Sequence, residues 1–517
     1  KTVLAVPNSL RHPVGEEKKR QGISLDFSVL IGESAQTLHE APARIMSKPS
    51  AKQKTMPEQD DIKIPDPVAF AQALMHVYEK AQPILEQAFH KSGEDLAKAG
   101  FDPMHMQPLY LELIEHIMAH PEKFWEIQTG FWQNAFKLWQ ESILRLMGEK
   151  PPQRVIEPEK GDRRFKSSEW EENALFDFIK QSYLLTCQFM DKTVREAEGL
   201  DKQKREKLAF YTRLFANAMS PTNFVMTNPD VLRETVKTGG ENLVKGFQNL
   251  VEDLERGGGE LKISTTDYKA FEVGKNLATT PGKVVYQNDL MQLLQFTAST
   301  DKVFKRPLLI IPPWINKYYI LDMREDNSFI RWAVAQGHTV FAVSWVNPNA
   351  ELAQKRFEDY MHEGVLDALA QIRKITGEPD CNVIGYCLGG TLLTITLSYL
   401  KAKRREKEIA SATFLTTLID FEDSGEMKLF MDDEQLALMD REMAEKGVLE
   451  ARNLQRTFSL LRANDLIWSF VINNYLMGKE PFPFDLLYWN DDSTNMPAAM
   501  HSFYLRKMYR DNALIKK

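Results

Sequence analysis

The chain has 517 residues, 43% hydrophobic and 26% charged, the balance of a globular protein with more than one folding unit. Its 65 Lys and Arg against 72 Asp and Glu give a net charge of −7, which offers no support for nucleic-acid binding. Three cysteines (Cys187, Cys381, Cys387) lack metal-ligand spacing and fit a reducing cytoplasm, where a free thiol can be a nucleophile. With no apolar run of about 18 residues, no membrane span is predicted. The opening Lys-Thr-Val-Leu-Ala-Val-Pro is too short, and too soon followed by charge, for a signal peptide. A start at Lys1 rather than methionine suggests a processed or incomplete N-terminus.

Residues 1–62 are rich in Pro, Lys, Glu and Ser without sustained periodicity, which predicts a disordered or loosely attached segment. A helical domain is expected over 63–259. Phe70, Leu74, Val77 and Tyr78 recur at three- and four-residue spacing, as do Leu113, Ile114, Ile117 and Met118. Phe124, Trp125, Phe131, Trp132, Phe136 and Trp139 form an aromatic stripe, more often core or a helix–helix contact than a ligand box, though also a surface for apolar polymer. Three glycines, 257–259, close this domain.

From 260 to 517 the pattern alternates. Strands are predicted at Arg306–Pro313, Thr339–Trp345, Cys381–Ile384 and Ser411–Leu418, and helices at Ser328–Gln336, Tyr360–Ile375 and Leu388–Leu400. Such alternation implies an α/β domain with a mostly parallel sheet covered on both faces. Residues 421–500 lose this regularity and carry many Met, Phe, Trp and Asp, consistent with a cap over a site.

The stretch Val383-Ile-Gly-Tyr-Cys-Leu-Gly-Gly-Thr391 joins a strand to a helix and puts a cysteine where a G-x-S-x-G hydrolase carries serine. A turn this sharp demands small residues two before and two after, met by Gly385 and Gly389, while Gly390 lets the helix approach the sheet. The helix N-terminus is expected to lower the Cys387 thiol pKa, and the Leu388 amide to donate to an oxyanion. The alternative is a buried structural cysteine on a strand–helix turn.

Further motifs are Ile311-Pro-Pro-Trp-Ile-Asn-Lys-Tyr-Tyr-Ile-Leu-Asp322, Gln336-Gly-His-Thr-Val-Phe341, Ser344-Trp-Val-Asn-Pro348, Asn464-Asp-Leu-Ile-Trp468 and Pro483-Phe-Asp-Leu-Leu-Tyr-Trp-Asn490. With Asn228-Pro-Asp-Val-Leu232 and Gly239-Gly-Glu-Asn-Leu-Val-Lys245, they resemble polyhydroxyalkanoate synthases, the poly(3-hydroxybutyrate) polymerases, over roughly residues 66–517. The likeness is greatest to the single-subunit, short-chain type (class I). The resemblance implies an α/β-hydrolase fold and polymerisation of (R)-3-hydroxyacyl-CoA, such as 3-hydroxybutyryl-CoA, with release of CoA. It also implies a Cys-His-Asp triad, a homodimer, and residence on cytoplasmic polymer granules, with the CoA thioester as substrate and no cofactor. Cys387 matches the family nucleophile. The oxyanion hole would combine the Leu388 N–H with a backbone N–H from the loop after the Pro312-Pro313 strand, where Ile315 is chosen.

The other half of the triad is not matched. Only His501 follows Cys387, in a helical-looking cap segment, and it does not correspond to the family's histidine loop. His338 opens a strand and reads as a structural histidine near the site. Asp420 and Asp465 read as solvated or cap-stabilising aspartates. The expectation is therefore an N-terminal portion of a synthase, without the last strands of its sheet, with an exposed sheet edge and negligible activity alone. Competing readings are an intracellular polyester depolymerase or thioesterase using the same elbow, and a non-catalytic granule-associated protein bound through the Trp125–Trp139 stripe.

Overall fold

The computed structural model describes residues 107–148 and 154–516. The expectations for residues 1–62 and for the Phe70–Tyr78 periodicity lie outside these residues.

The first described part is helical: α1 (Gln107–Ala119), α2 (Pro121–Leu146), α3 (Ala174–Arg195), α4 (Lys202–Ala218), α5 (Pro229–Thr238) and α6 (Glu241–Arg256). Local signals set several boundaries. Asn173, Asp201 and Asn228 cap α3, α4 and α5 by accepting first-turn N–H groups, and Pro229 occupies the first turn of α5, where no donor is needed. Gly239 ends α5 in the left-handed conformation.

The α/β part carries a six-stranded sheet in the order β1-β2-β4-β3-β5-β6. Its strands are β1 (Gly282–Gln287), β2 (Met291–Phe296), β3 (Leu308–Ile311), β4 (Val340–Trp345), β5 (Cys381–Tyr386) and β6 (Ile409–Leu415). Strands β4, β3, β5 and β6 run parallel, while β1 and β2 add an antiparallel hairpin at one edge. The parallel strands coincide closely with the apolar runs of the sequence. The hairpin was not predicted, because Gly-Lys-Val-Val-Tyr-Gln is polar and largely exposed and finds its place through pairing.

Helices cover both faces. α7 (Phe329–Ala335) packs with Ile310, Val340 and Ala342 on one side. On the other lie α8 (Asp367–Thr376), entered through the π-helical turn Tyr360–Leu366, and α9 (Leu388–Ala402). Gly364 lets that turn lie against the Trp345 ring, where a Cβ would come within 2.6 Å of Trp345 Cζ3.

After β6 the chain is more regular than its composition suggested. Helices α10 (Asp433–Lys446), α11 (Ala451–Leu461) and α12 (Ala498–Tyr504) alternate with π-helical turns, and the last turn, Leu505–Arg510, runs past residue 500. This layer rests on the N-terminal helices as well as on the sheet. Asn242 of α6 donates to the Leu476 carbonyl at 2.7 Å, Tyr475 donates to Asp253 at 2.6 Å, and Lys207 of α4 pairs with Asp432 at 2.7 Å. The helical part thus buttresses the roof over the sheet.

Candidate active site

Cys387 sits where β5 passes into α9, with φ 52° and ψ −120°. A non-glycine residue there is strained, and such strain persists only where the surroundings hold it. Those surroundings are backbone. The Cys387 N–H donates to the Leu415 carbonyl at 2.9 Å, and its carbonyl accepts from Gly390 N–H at 2.9 Å. A Cβ on Gly385 would lie 2.5 Å from Gly390 Cα, and one on Gly389 would lie 2.8 Å from the Pro312 carbonyl oxygen and closer still to that of Ile311. Because Gly389 touches the end of β3, the first turn of α9 lies directly against the loop that carries Trp314 and Ile315. That loop is itself fixed, since the Trp345 indole N–H donates to the Pro312 carbonyl at 2.9 Å.

The thiol does not follow the sequence expectation. Burial pushes the Cys387 pKa up, and the Leu388 N–H aimed at the sulfur only partly opposes it. Desolvation outweighs the Leu388 N–H, so the resting group is a neutral thiol.

Two residues that sequence reasoning missed are Tyr504 of α12 and Tyr509. Both phenols lie close enough to Cys387 to feel its charge, and they hydrogen-bond to one another. Their rings meet edge-to-face at 5.5 Å, with Trp314 at 5.7 Å from Tyr504 and Phe421 at 4.9 Å from Tyr509. Burial raises both pKa values and keeps the phenols neutral. No local signal marks them, because the contact spans the whole cap.

His501 is buried and packs on Tyr504, with ring centroids 6.2 Å apart. Burial pushes its pKa down to about 4 against the pull of Asp440, and its Nδ1 has no hydrogen-bond partner among the described residues. His338 is not near the site. It precedes β4 at the end of the sheet opposite to Cys387, with its ring 5.0 Å from Phe304. Asp420 follows β6 and accepts from Glu422 N–H and from the Asn512 amide at 2.8 Å, joining the sheet to the end of the cap. Asp465 is an exposed partner of Arg462. Among the described residues, no imidazole or carboxylate bonds to the Cys387 sulfur. No helix among them is long and apolar enough to cross a membrane.

A mixed sheet whose parallel strands β4, β3, β5 and β6 carry a strained cysteine at the turn after β5 defines the α/β-hydrolase fold. The model of that fold matches residues 310–512, and the model of the poly-beta-hydroxybutyrate polymerase (PhaC) N-terminus matches residues 161–333. The chain belongs to the poly(3-hydroxyalkanoate) polymerase family. It is 50% identical over 399 residues to the poly(3-hydroxyalkanoate) polymerase of Methylorubrum extorquens, covering 77% of this chain and 66% of the relative. Identity to the polymerase subunit PhaC of Rhizobium meliloti is 49%, over 78% of this chain and 66% of the relative. To that of Rhizobium etli it is 45%, over 88% and 72%. The chain thus spans about two thirds of the length of the curated relatives it matches.

Proposed function

We propose that the chain polymerises (R)-3-hydroxyacyl-CoA, with 3-hydroxybutyryl-CoA as the simplest substrate, into polyhydroxyalkanoate through an acyl group carried on Cys387. The observation that carries this reading is the strained elbow cysteine with Leu388 N–H at its sulfur, in a family whose relatives are named polymerases. Attack of the thiolate on the CoA thioester breaks the acyl–sulfur bond of CoA, forms a new one on Cys387, and returns a proton to the departing CoA thiolate. One thioester replaces another, so the acyl group stays activated for the hydroxyl of the next unit. A serine would hold it as a less reactive ester. The developing oxyanion would be met by the N–H groups of Leu388 and Ile315, the latter on the loop that follows the Ile311 and Pro312 carbonyls against which Gly389 packs.

The raised thiol pKa means that acylation needs a base, and no described residue supplies one at the sulfur. The reaction by this chain alone is therefore expected to be slow at neutral pH and to rise with pH as the thiol ionises. The working protein would be a homodimer at the surface of cytoplasmic polymer granules.

Intact mass after incubation with 3-hydroxybutyryl-CoA tests the assignment. One hydroxybutyryl adduct should form with release of free CoA, and should vanish in Cys387→Ala. An adduct surviving that substitution sinks the reading. Recovery of polymer rather than free hydroxy acid separates a polymerase from a depolymerase or thioesterase.

A further inference from the structure

Two motifs that stand out in the sequence meet in the structure. The first, Ile311-Pro-Pro-Trp-Ile-Asn-Lys317, runs from the end of β3 and carries Ile315. Pro312 and Pro313 have no N–H, so Trp314 and Ile315 supply the first main-chain donors beyond the strand. Neither donates to a main-chain acceptor among the described residues. The Trp314 indole N–H also has no partner among them, although Trp314 is only 2% exposed. Buried donors are almost always paired, so a loop that leaves its donors free beside the elbow is equipped to meet an acceptor carried by a substrate.

That loop is held at two carbonyls, one on either side of Ile315. The Trp345 indole, at the end of β4, donates to the Pro312 carbonyl at 2.9 Å and fixes the loop to the sheet. The second hold comes from the roof, through the other motif, Pro483-Phe-Asp-Leu-Leu-Tyr-Trp-Asn490. Its helix, Asp485–Asp491, brings the Trp489 indole N–H to the Lys317 carbonyl, also at 2.9 Å. Asp492, just past that helix, accepts from the Tyr319 hydroxyl at 2.8 Å and pairs with the Lys317 ammonium at 3.4 Å. Burial, together with Asp492, pushes the Tyr319 pKa up, so the phenol keeps its proton and remains a donor. The far end of the same helix is anchored beyond the loop, where Asp485 accepts from Arg324 at 2.8 Å and from Asn327 at 2.9 Å.

We propose that Trp489 and Asp492 are positioning residues that set the Ile315 N–H for the oxyanion, so that the roof as well as the sheet governs acyl transfer to Cys387. This rests on the reading of Cys387 as the acyl carrier. The Leu388 N–H needs no such help, because it belongs to the first turn of α9. Ile315 stands in irregular chain, bracketed by the indole-held carbonyls of Pro312 and Lys317. The orientation of a peptide plane decides whether its donor meets a developing oxyanion, and a misplacement of about 1 Å costs on the order of 100-fold in rate.

Single-turnover acylation of the full chain by 3-hydroxybutyryl-CoA, read by intact mass, tests the proposal against alkylation of Cys387 by iodoacetamide at the same pH. Alkylation displaces iodide at a saturated carbon and develops no oxyanion, so it reports the thiol and its access alone. Trp489→Phe keeps an aromatic ring and loses the donor, and Asp492→Asn weakens the hold on Lys317 and Tyr319. Each should slow acylation roughly 10- to 100-fold with alkylation unchanged. Arg324→Ala, which loosens the far end of the same helix, should leave both rates unchanged. In Ile315→Pro, which has no N–H to place, Trp489→Phe should slow acylation no further. Acylation unmoved by Trp489→Phe and Asp492→Asn overturns the proposal. So does an alkylation rate that changes with it, an equal loss in Arg324→Ala, or a further loss on top of Ile315→Pro. A wild type that forms no Cys387 adduct sinks the acyl-carrier reading itself, and this inference with it.

Discussion

Below Cys387, the contacts that matter are between main-chain atoms: Gly385 lies on the backbone of Gly390, and Gly389 on the carbonyls of Ile311 and Pro312. Above it, the roof is made of side chains, with Met500, Tyr504, Leu505 and Met508 packed in the same core, and its last turn is π-helical. Backbone contacts at that range cannot relax without moving β3 or α9. Methionine and tyrosine can repack, and π-helical turns are rare and recur at functional sites. Cys387 is thus held by a floor that cannot give, under a roof that can. On the proposed reaction, which would admit a CoA thioester and pass out a polymer, that division would serve both steps.

The sharpest way to break the comparison is to change each layer by one methyl group or one amide. Gly389→Ala should be the most damaging, because its Cβ would enter the space of two carbonyl oxygens. We expect a loss of about 3 kcal/mol or more, read as a fall in denaturation midpoint or failure to fold. A near-neutral result would mean that the floor is as adaptable as the roof.

In the roof, Asn512 is buried, accepts from Phe421 N–H at 2.9 Å and donates to Asp420. Asn512→Ala strands the Phe421 N–H and removes the tie, for an expected loss of about 1–3 kcal/mol. Asn512 also has φ 50°, so Asn512→Gly separates the hydrogen bonds from the backbone conformation. Both variants should also speed alkylation of Cys387 at fixed pH. Stability lost without faster alkylation would show that the tie does not hold the roof over the thiol.

The same contrast explains what the sequence made legible. The floor is local: an apolar strand, Gly-Tyr-Cys-Leu-Gly-Gly and a helix occupy one short stretch, and steric demand at each glycine is written in the residue itself. β3 and β4 were legible for a similar reason, as buried parallel strands of near-continuous apolar residues, while β6, at the sheet edge, buries only Ile409. The roof is non-local. Tyr504 and Tyr509 reach the thiol only after three helices and several π-helical turns have folded back. Periodicity does not encode π-helical turns such as Asn464–Trp468, which arise from packing. His338 was misplaced because its motif follows a helix and opens a strand, and nothing in it says which end of the sheet that is. The thiol pKa was misjudged for the same reason. The helix N-terminus is local and visible, whereas the burial that overrides it is set by tertiary packing that the elbow does not encode.

That override gives the smallest and most diagnostic expected effect. Burial raises the Cys387 pKa above the ordinary thiol value, so at any given pH less thiolate is present than in a free cysteine. Alkylation by iodoacetamide, followed residue by residue by peptide mapping, should therefore keep climbing with pH beyond the range where an exposed thiol levels off. Cys381, pushed up to about 12 by burial within β5, should climb later still. Tyr504→Ala opens the roof to water while leaving the Leu388 N–H in place. Removing desolvation should move the Cys387 midpoint downward and leave that of Cys381 where it was. A wild-type midpoint already below the ordinary thiol value would show that the helix N-terminus dominates and that the cap does not seal the sulfur. A downward shift confined to Cys387 would assign the raised pKa to the roof alone.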